Sequence, residues 1–241
     1  MTPKEIGAAL ERVFGRIYVI NLASRPDRLA EIGDQFAAVG LTVGEGNVQR
    51  FDAARPAEPG PWPSVGARGC FMSHLGVLED AVERGFDRIT IVEDDLDWSR
   101  AFMGMGPAEV EALGEGDWRF LHGGLDSGQG PVRLAPLEAE RAVLLAHFIA
   151  LRGDAIGRMA RYLQDMAARP PGSPEGGPMH VDGAYSWFRN ENRDVPAAIC
   201  VPALAHQRSS ATDIAERRWF DRVPVVRHVV RGLRRSWRRP K

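Results

Sequence analysis

Two periodicities divide the first half of this chain. "RIYVINL" (16–22) is a continuous apolar run rich in Ile and Val, the pattern of a buried strand. In the following "SRPDRLAEIGDQFAAVG", Leu29, Ile32, Phe36 and Val39 recur at helical spacing, with Pro26 and Asp27 suited to a first turn and Gly40 to the stop. "VQRFDA" (48–53) predicts a second short strand, and Pro56, Pro59, Pro61 and Pro63 make 55–66 a loop. Phe71, Leu75, Leu78 and Val82 then form a helical stripe ending at Gly85, which predicts a helix over 70–84 with Ser73 and His74 in its first turn. "ITIV" (89–92) reads as the next strand.

Strand, helix, strand, helix, strand is the pattern of an α/β fold, a mostly parallel sheet flanked by helices on both faces. The second half continues it less cleanly. "WRFLHGG" (118–124) and "AVLLAHFIAL" (142–151) are strand candidates, "DAIGRMARYLQDMA" (154–167) a helix, "RPPGSPEGGP" (169–178) a flexible loop, and "AAICVPALAHQ" (197–207) a late strand running into a loop. There is no internal repeat.

The "ITIV" strand ends in three consecutive carboxylates, Glu93, Asp94 and Asp95. In open α/β sheets ligands gather at the carboxyl ends of the strands. Clustered carboxylates are costly unless neutralised, and a hard divalent cation, Mg²⁺ or Mn²⁺, does so with positions left for diphosphate oxygens. An acidic turn facing solvent is the other reading, and the triplet alone does not separate the two.

Other segments bear on that choice. "VINLASRPDRL" (19–29), "GARGCFMSHLGVLEDA" (66–81) and "ITIVEDDLDW" (89–98) resemble, in order and at suitable spacing, the motifs of the family 25 glycosyltransferases, the lipopolysaccharide-biosynthesis and collagen-galactosyltransferase group. "HVDGAYSWF" (180–188) and "PALAHQRSSATDI" (202–214) look like the family's C-terminal elements, so the resemblance spans roughly residues 16–214. It implies a single GT-A type domain, assigned to residues 1–215, that binds a nucleotide-sugar donor, of which a UDP-sugar is the leading candidate. Matched position by position, it places Asn21, Arg25, Asp27, Arg28, Gly69, Ser73, His74 and Asp94 at the donor, with Gln207 reaching it from the late loop. It also puts Cys70 in the second motif and Glu93, Asp94 and Asp95 on the metal motif, with Glu93 and Asp95 as the expected ligands; His206 is placed to reach the metal from the late loop. One departure is visible: where the family often carries an acid after the first Gly of its second motif, this chain has Ala67 followed by Arg68.

The residues can be read without the family. Arg25 and Arg28 flank a helix N-terminus, which suits phosphate, and equally suits a solvated face with Asp27 as partner. Gly66 and Gly69 permit close backbone approach, or simply a turn. A single helical His such as His74 is more often structural than catalytic. Cys70 reads as a packing residue rather than a nucleophile. Glycosyl transfer with inversion needs a carboxylate to take the acceptor proton, and Asp182 is the candidate, beside His180, Tyr185 and Trp187. Its alternative role is to cap the helix or turn that follows.

Charge changes the picture at the C-terminus. The chain of 241 residues carries a net −1, yet from Arg217 onward nine Arg and one Lys face a single acid, Asp221, a local +9 that leaves −10 on the remainder. An acidic body argues against nucleic acid as partner. After Pro224, Val225, Val226, Val229, Val230, Leu233 and Trp237 fall at helical spacing among arginines, so 216–241 reads as a basic amphipathic tail suited to an anionic membrane surface. A helix packed on the acidic body, or a disordered tail, fits the same pattern. Two cysteines, Cys70 and Cys200, make no disulfide framework, and no stretch reads as a signal peptide or membrane span. The expectation is a cytoplasmic, peripheral glycosyltransferase acting on a glycan or glycolipid acceptor. A nucleotidyltransferase would carry a Gly-rich phosphate loop near the first strand, which "NLASRPDR" lacks, and a transferase-like domain without activity fits the same residues.

Overall fold

The computed structural model describes residues 2–125, 128 and 130–208. They lie almost wholly in one compact unit, Met1–Gln207; a second unit is Arg208–Lys241. The predicted amphipathic tail lies outside the described residues.

In chain order the elements are α1 (Pro3–Phe14), β1 (Arg16–Asn21), α2 (Pro26–Ala38), β2 (Val48–Asp52), α3 (Val65–Glu83), β3 (Arg88–Glu93), β4 (Leu96–Trp98), α4 (Arg100–Met103) and α5 (Pro107–Glu115). There follow β5 (Phe120–His122), β6 (Arg133–Pro136), β7 (Phe148–Arg152), α6 (Asp154–Ala168), α7 (Val181–Glu191), β8 (Ala197–Val201) and β9 (Ala205–Gln207).

Seven strands form one sheet in the order β2-β1-β3-β7-β5-β8-β6, and β4 pairs with β9 in a separate ribbon. β1 is parallel to both neighbours, whereas β7 is antiparallel to β3 and to β5. β8 is parallel to β5, and β6 antiparallel to β8. Five strands therefore point one way and two, β7 and β6, run against them. The expected α/β sheet flanked by helices is found, with a mixed second half. Asn21, Asp52, Glu93 and His122 end their strands at one edge of the sheet, where β7 begins.

Strand alternation explains the two cores. Ile89 and Ile91 of β3, Ile149 and Leu151 of β7, and Phe120 of β5 meet α3, α6 and α7 on one face. Val92, Phe148, Ala150 and Leu121 meet α1, α2 and α5 on the other. Each face is a closed apolar layer, so register is pinned: a one-residue slip of β3 would drive Glu93 out of line with both layers.

The predicted boundaries need three corrections. Helix α3 starts at Val65, because the Ser64 hydroxyl accepts the Ala67 amide at 3.0 Å and caps it. Ser73 and His74 are therefore in its third turn, not its first. Gly69 is helical rather than part of a turn, and a Cβ there would lie 2.9 Å from the Ala54 carbonyl, so the close approach is real. The strand expected over 142–151 is confined to 148–152, and 197–207 splits into β8 and β9.

Phe148 is buried and packs edge-on against Phe14 at 5.2 Å and Trp98 at 6.2 Å. Phe148→Ala should cost about 3–5 kcal/mol, read as a lowered urea midpoint with an unchanged slope.

Candidate active site

The acidic triplet is resolved by sending its three carboxylates to three different places. Glu93, the last residue of β3, turns toward α3: the Cys70 thiol donates to its Oε1 at 3.6 Å, and His74 Nε2 lies 3.3 Å from the same oxygen. His74 Nδ1 is 2.8 Å from the Tyr185 hydroxyl on α7. Burial pushes the Glu93 carboxyl up, but the His74 hydrogen bond and nearby His74 and His147 rings bring it below its ordinary value. Burial, then Glu93, hold the Cys70 thiol well above its ordinary range.

Asp94 turns to β1 and α2. Asn21 Nδ2 donates to its Oδ2 at 2.7 Å, and Arg28 Nη1 to its Oδ1 at 3.1 Å. Asn21 is itself held by Arg50, whose Nε donates to Oδ1 at 3.2 Å. Both oxygens of Asp94 are thus engaged. Arg25 turns back on Asp27, with contacts of 3.0 and 2.7 Å, and its hydrogen bond holds the Asp27 carboxyl down at about 2. This pair stands at the start of α2, on the same rim as Arg28.

Asp95 turns to the β4–β9 ribbon. Gln207 Nε2 donates to Oδ2 at 3.0 Å, and Arg28 Nη1 is 3.7 Å from that oxygen. The other oxygen, Oδ1, is buried without a hydrogen-bond partner among the described residues. Burial, then the Glu93 charge, push the Asp95 carboxyl up to about 7. A desolvated carboxylate oxygen with no donor is what a cation-binding group looks like before the cation is counted. His206 pairs across the ribbon with Asp97 and is exposed, one residue from Gln207.

Ser73 is buried, accepting the Ala54 amide at 2.8 Å and donating to the Gly69 carbonyl at 2.6 Å, so it ties α3 to the loop after β2. Asp182 stands in the first turn of α7. Its Oδ1 accepts the Gly183 amide at 2.7 Å and its Oδ2 the Leu145 amide at 3.2 Å. The N-cap of this helix is His180, so Asp182 is not its cap, and Asp182 lies near enough to Cys70 to raise that thiol. Leu145 has φ +68°, an uncommon conformation for a side chain branched at Cγ, and its carbonyl accepts from His122 Nε2 at 2.8 Å. The exposed side chains of Leu144 and Leu145 give this rim an apolar character, while Trp187 is exposed further along α7 beside Gly176.

Sequence reasoning missed His147. It faces Glu93 across the β3–β7 pair, where the Glu93 amide donates to its carbonyl at 3.2 Å. Its Nε2 donates to the Ala205 carbonyl at 3.1 Å, leaving a buried Nδ1 with no partner among the described residues. Only the antiparallel insertion of β7 brings it here. The pairing of Cys70 with Glu93 was also missed, because nothing in the sequence says which face of α3 meets the strand end.

Comparison with known proteins bears on the same region. The model of "Glycosyltransferase family 25 (LPS biosynthesis protein)" matches residues 64–119, which carry α3, β3, the acidic turn and α5. The chain is 33% identical over 118 residues to the lacto-N-neotetraose biosynthesis glycosyltransferase LgtB of Neisseria meningitidis serogroup B, covering 43% of this chain and 36% of the relative. It is 36% identical over 118 residues to LgtE of Neisseria gonorrhoeae, covering 43% and 35%. It is 30% identical over 141 residues to the human "Inactive glycosyltransferase 25 family member 3", covering 50% and 22%. The resemblance to glycosyltransferase family 25 that the motifs carry is thereby shown, and the match spans about a third of the Neisseria relatives' length.

The raised Asp95 carboxyl has a signed consequence. The unfolded chain ionises Asp95 near the usual value, the folded chain only near 7, so this group favours the fold at low pH and progressively disfavours it from about pH 4 to 7. Asp95→Asn should therefore raise stability more at pH 8 than at pH 5, measured by urea unfolding with a chelator present.

Proposed function

We propose that this chain is a GT-A type glycosyltransferase that moves a sugar, with inversion, from a nucleotide-sugar donor of the UDP class to a glycan or lipid-linked glycan acceptor. The observation that carries the reading is Asp95 with its partnerless oxygen, set between Arg28 and Gln207 at the carboxyl ends of the strands. The family resemblance and the relatives' printed names support the class of reaction.

Asp95 would hold a hard divalent cation, Mn²⁺ or Mg²⁺, through its open oxygen; of the other expected ligands Glu93 is turned away to Cys70 and His74, and His206 stands exposed on the adjoining ribbon. When bound, the cation would neutralise charge developing on the departing diphosphate. Arg28, held over Asp94 and Asp95, adds a fixed positive charge on that side. Asn21 and Arg50 keep the Asp94 carboxylate in place. On the facing rim, Asp182 is oriented by two backbone amides, and its carboxylate takes the proton of the acceptor hydroxyl. Leu144 and Leu145 give an apolar sugar face something to lie on.

Catalysis is the point to test, since one relative carries the word inactive in its name. A panel of nucleotide sugars with Mn²⁺ should yield one that shifts the melting temperature and is turned over. Asp95→Asn should lose Mn²⁺-dependent donor binding. Asp182→Asn should bind donor as the parent does while losing about a hundredfold to ten-thousandfold in rate. Retained UDP–Mn²⁺ binding in the first variant, or near-normal turnover in the second, would overturn the respective assignment.

The basic stretch from Arg217 onward supports a second element of the proposal, peripheral attachment to an anionic leaflet beside a lipid-linked acceptor. No described helix is long and apolar enough to cross a membrane. The full chain should co-sediment with anionic vesicles at low salt and a chain ending near Ala215 should not; equal behaviour of the two would refute the attachment.

A further inference from the structure

Cys70, His74 and Glu93 each direct one ligand atom to a common point, all within 4.8 Å of one another. We infer that these three side chains form a binding site for a soft divalent cation, Zn²⁺ in the first instance, separate from the hard-cation position at Asp95 and independent of the proposed transferase activity.

Spacing is the first support. Zinc bonds of about 2.0–2.3 Å at tetrahedral angles put neighbouring ligand atoms about 3.3–3.7 Å apart. His74 Nε2 and Glu93 Oε1 are 3.3 Å apart, and Cys70 Sγ and Glu93 Oε1 are 3.6 Å apart. Both contacts to Glu93 Oε1 already have the separations of tetrahedral zinc ligands, the three ligand atoms lie within 4.8 Å of one another, and a cation seated there would replace two weak contacts.

The chemistry of the donors is the second. Thiolate and imidazole are poor ligands for Mg²⁺ and good ones for Zn²⁺. One thiolate, one carboxylate and a neutral imidazole carry two negative charges, which a dication balances. The thiol proton, held in place by burial and Glu93, would leave to solvent on binding. His74 bonds through Nε2, so its Nδ1–H donates to the Tyr185 hydroxyl at 2.8 Å, the outer partner that metal-bound histidines commonly have. Tyr185 and His74 are both buried, which locks the ring. Cys70 and Glu93 are only partly buried, which leaves a way in.

The unpartnered His147 nitrogen is the third and independent support. Glu93 and His147 are opposite one another in the ladder, so their side chains lie on one face of the sheet. With Nε2 committed to Ala205, the buried Nδ1 is an acceptor with nothing to accept. A three-ligand zinc keeps water in its fourth position. His147 is close enough to feel the Glu93 charge, and a metal-bound water is the kind of donor its orphaned nitrogen lacks.

Cobalt(II) gives the test, because a thiolate ligand produces a near-ultraviolet charge-transfer band that oxygen ligands do not. Titration of metal-free full-length protein should raise this band to a plateau at one equivalent per chain, with Zn²⁺ abolishing it. The band should vanish in Cys70→Ser, persist in Cys200→Ser, and persist in Asp95→Asn. No band in the parent overturns the site, whatever the folding of the variants. A band that survives Cys70→Ser, or that requires Asp95, overturns it equally. Loss of donor binding in Asp95→Asn with the band intact would leave this site standing and bear only on the hard-cation position.

Discussion

Three adjacent carboxylates cannot share one low-dielectric pocket, and the site is organised by the need to separate them. Glu93 stays in line with β3 and faces α3, Asp94 is drawn to Asn21 and Arg28, and Asp95 swings to Gln207 on the β4–β9 ribbon. Each direction requires an element supplied by a distant part of the chain. β1 must lie beside β3 to bring Asn21, and β9 must return to pair with β4 to bring Gln207. The late C-terminal strand is therefore as much a part of the acidic turn as the residues next to it.

The balance of charge explains why one carboxyl is left raised. Asp94 has a close amide and a guanidinium, and Glu93 has the His74 and Cys70 contacts; Asp95 has one amide and a more distant guanidinium against burial and two acidic neighbours. Its carboxyl is consequently the one best satisfied by an added positive charge. That single unsatisfied oxygen ties the fold to the proposed chemistry, because the sheet holds it in place before any ligand arrives. The partners on the other side of the strand end, Cys70 and His74, are of a different chemical kind, which is the ground for proposing two cation positions of different hardness.

The insertion of β7 against the direction of β3 and β5 has consequences beyond topology. It brings the start of a strand, rather than its end, to the carboxyl edge, and with it His147 and the Leu144–Leu145 turn. The Leu145 peptide is gripped on both sides, by Asp182 at its amide and His122 at its carbonyl, which is what sustains its positive φ. The facing rim is thus fixed by hydrogen bonds from two helical and strand elements that have no sequence relation to it.

Much of the first half was legible in the sequence because its signals are local. Continuous Ile/Val runs set β1 and β3, the Leu29–Ile32–Phe36 stripe set α2, and the EDD triplet fell at a strand end as expected. Helix α3 began earlier than periodicity implied because Ser64 caps a glycine-rich turn that looks like loop. The antiparallel placement of β7 had no local signal: a short apolar strand buried on both faces reads alike in either direction. The sequence by itself determined which residue types cluster at the strand end. Only the tertiary structure decided how the three carboxylates part, that Cys70 and His74 meet Glu93, and that His147 faces them, because partners from 19 to 112 residues apart are chosen by strand order, register and helix orientation rather than by neighbouring sequence.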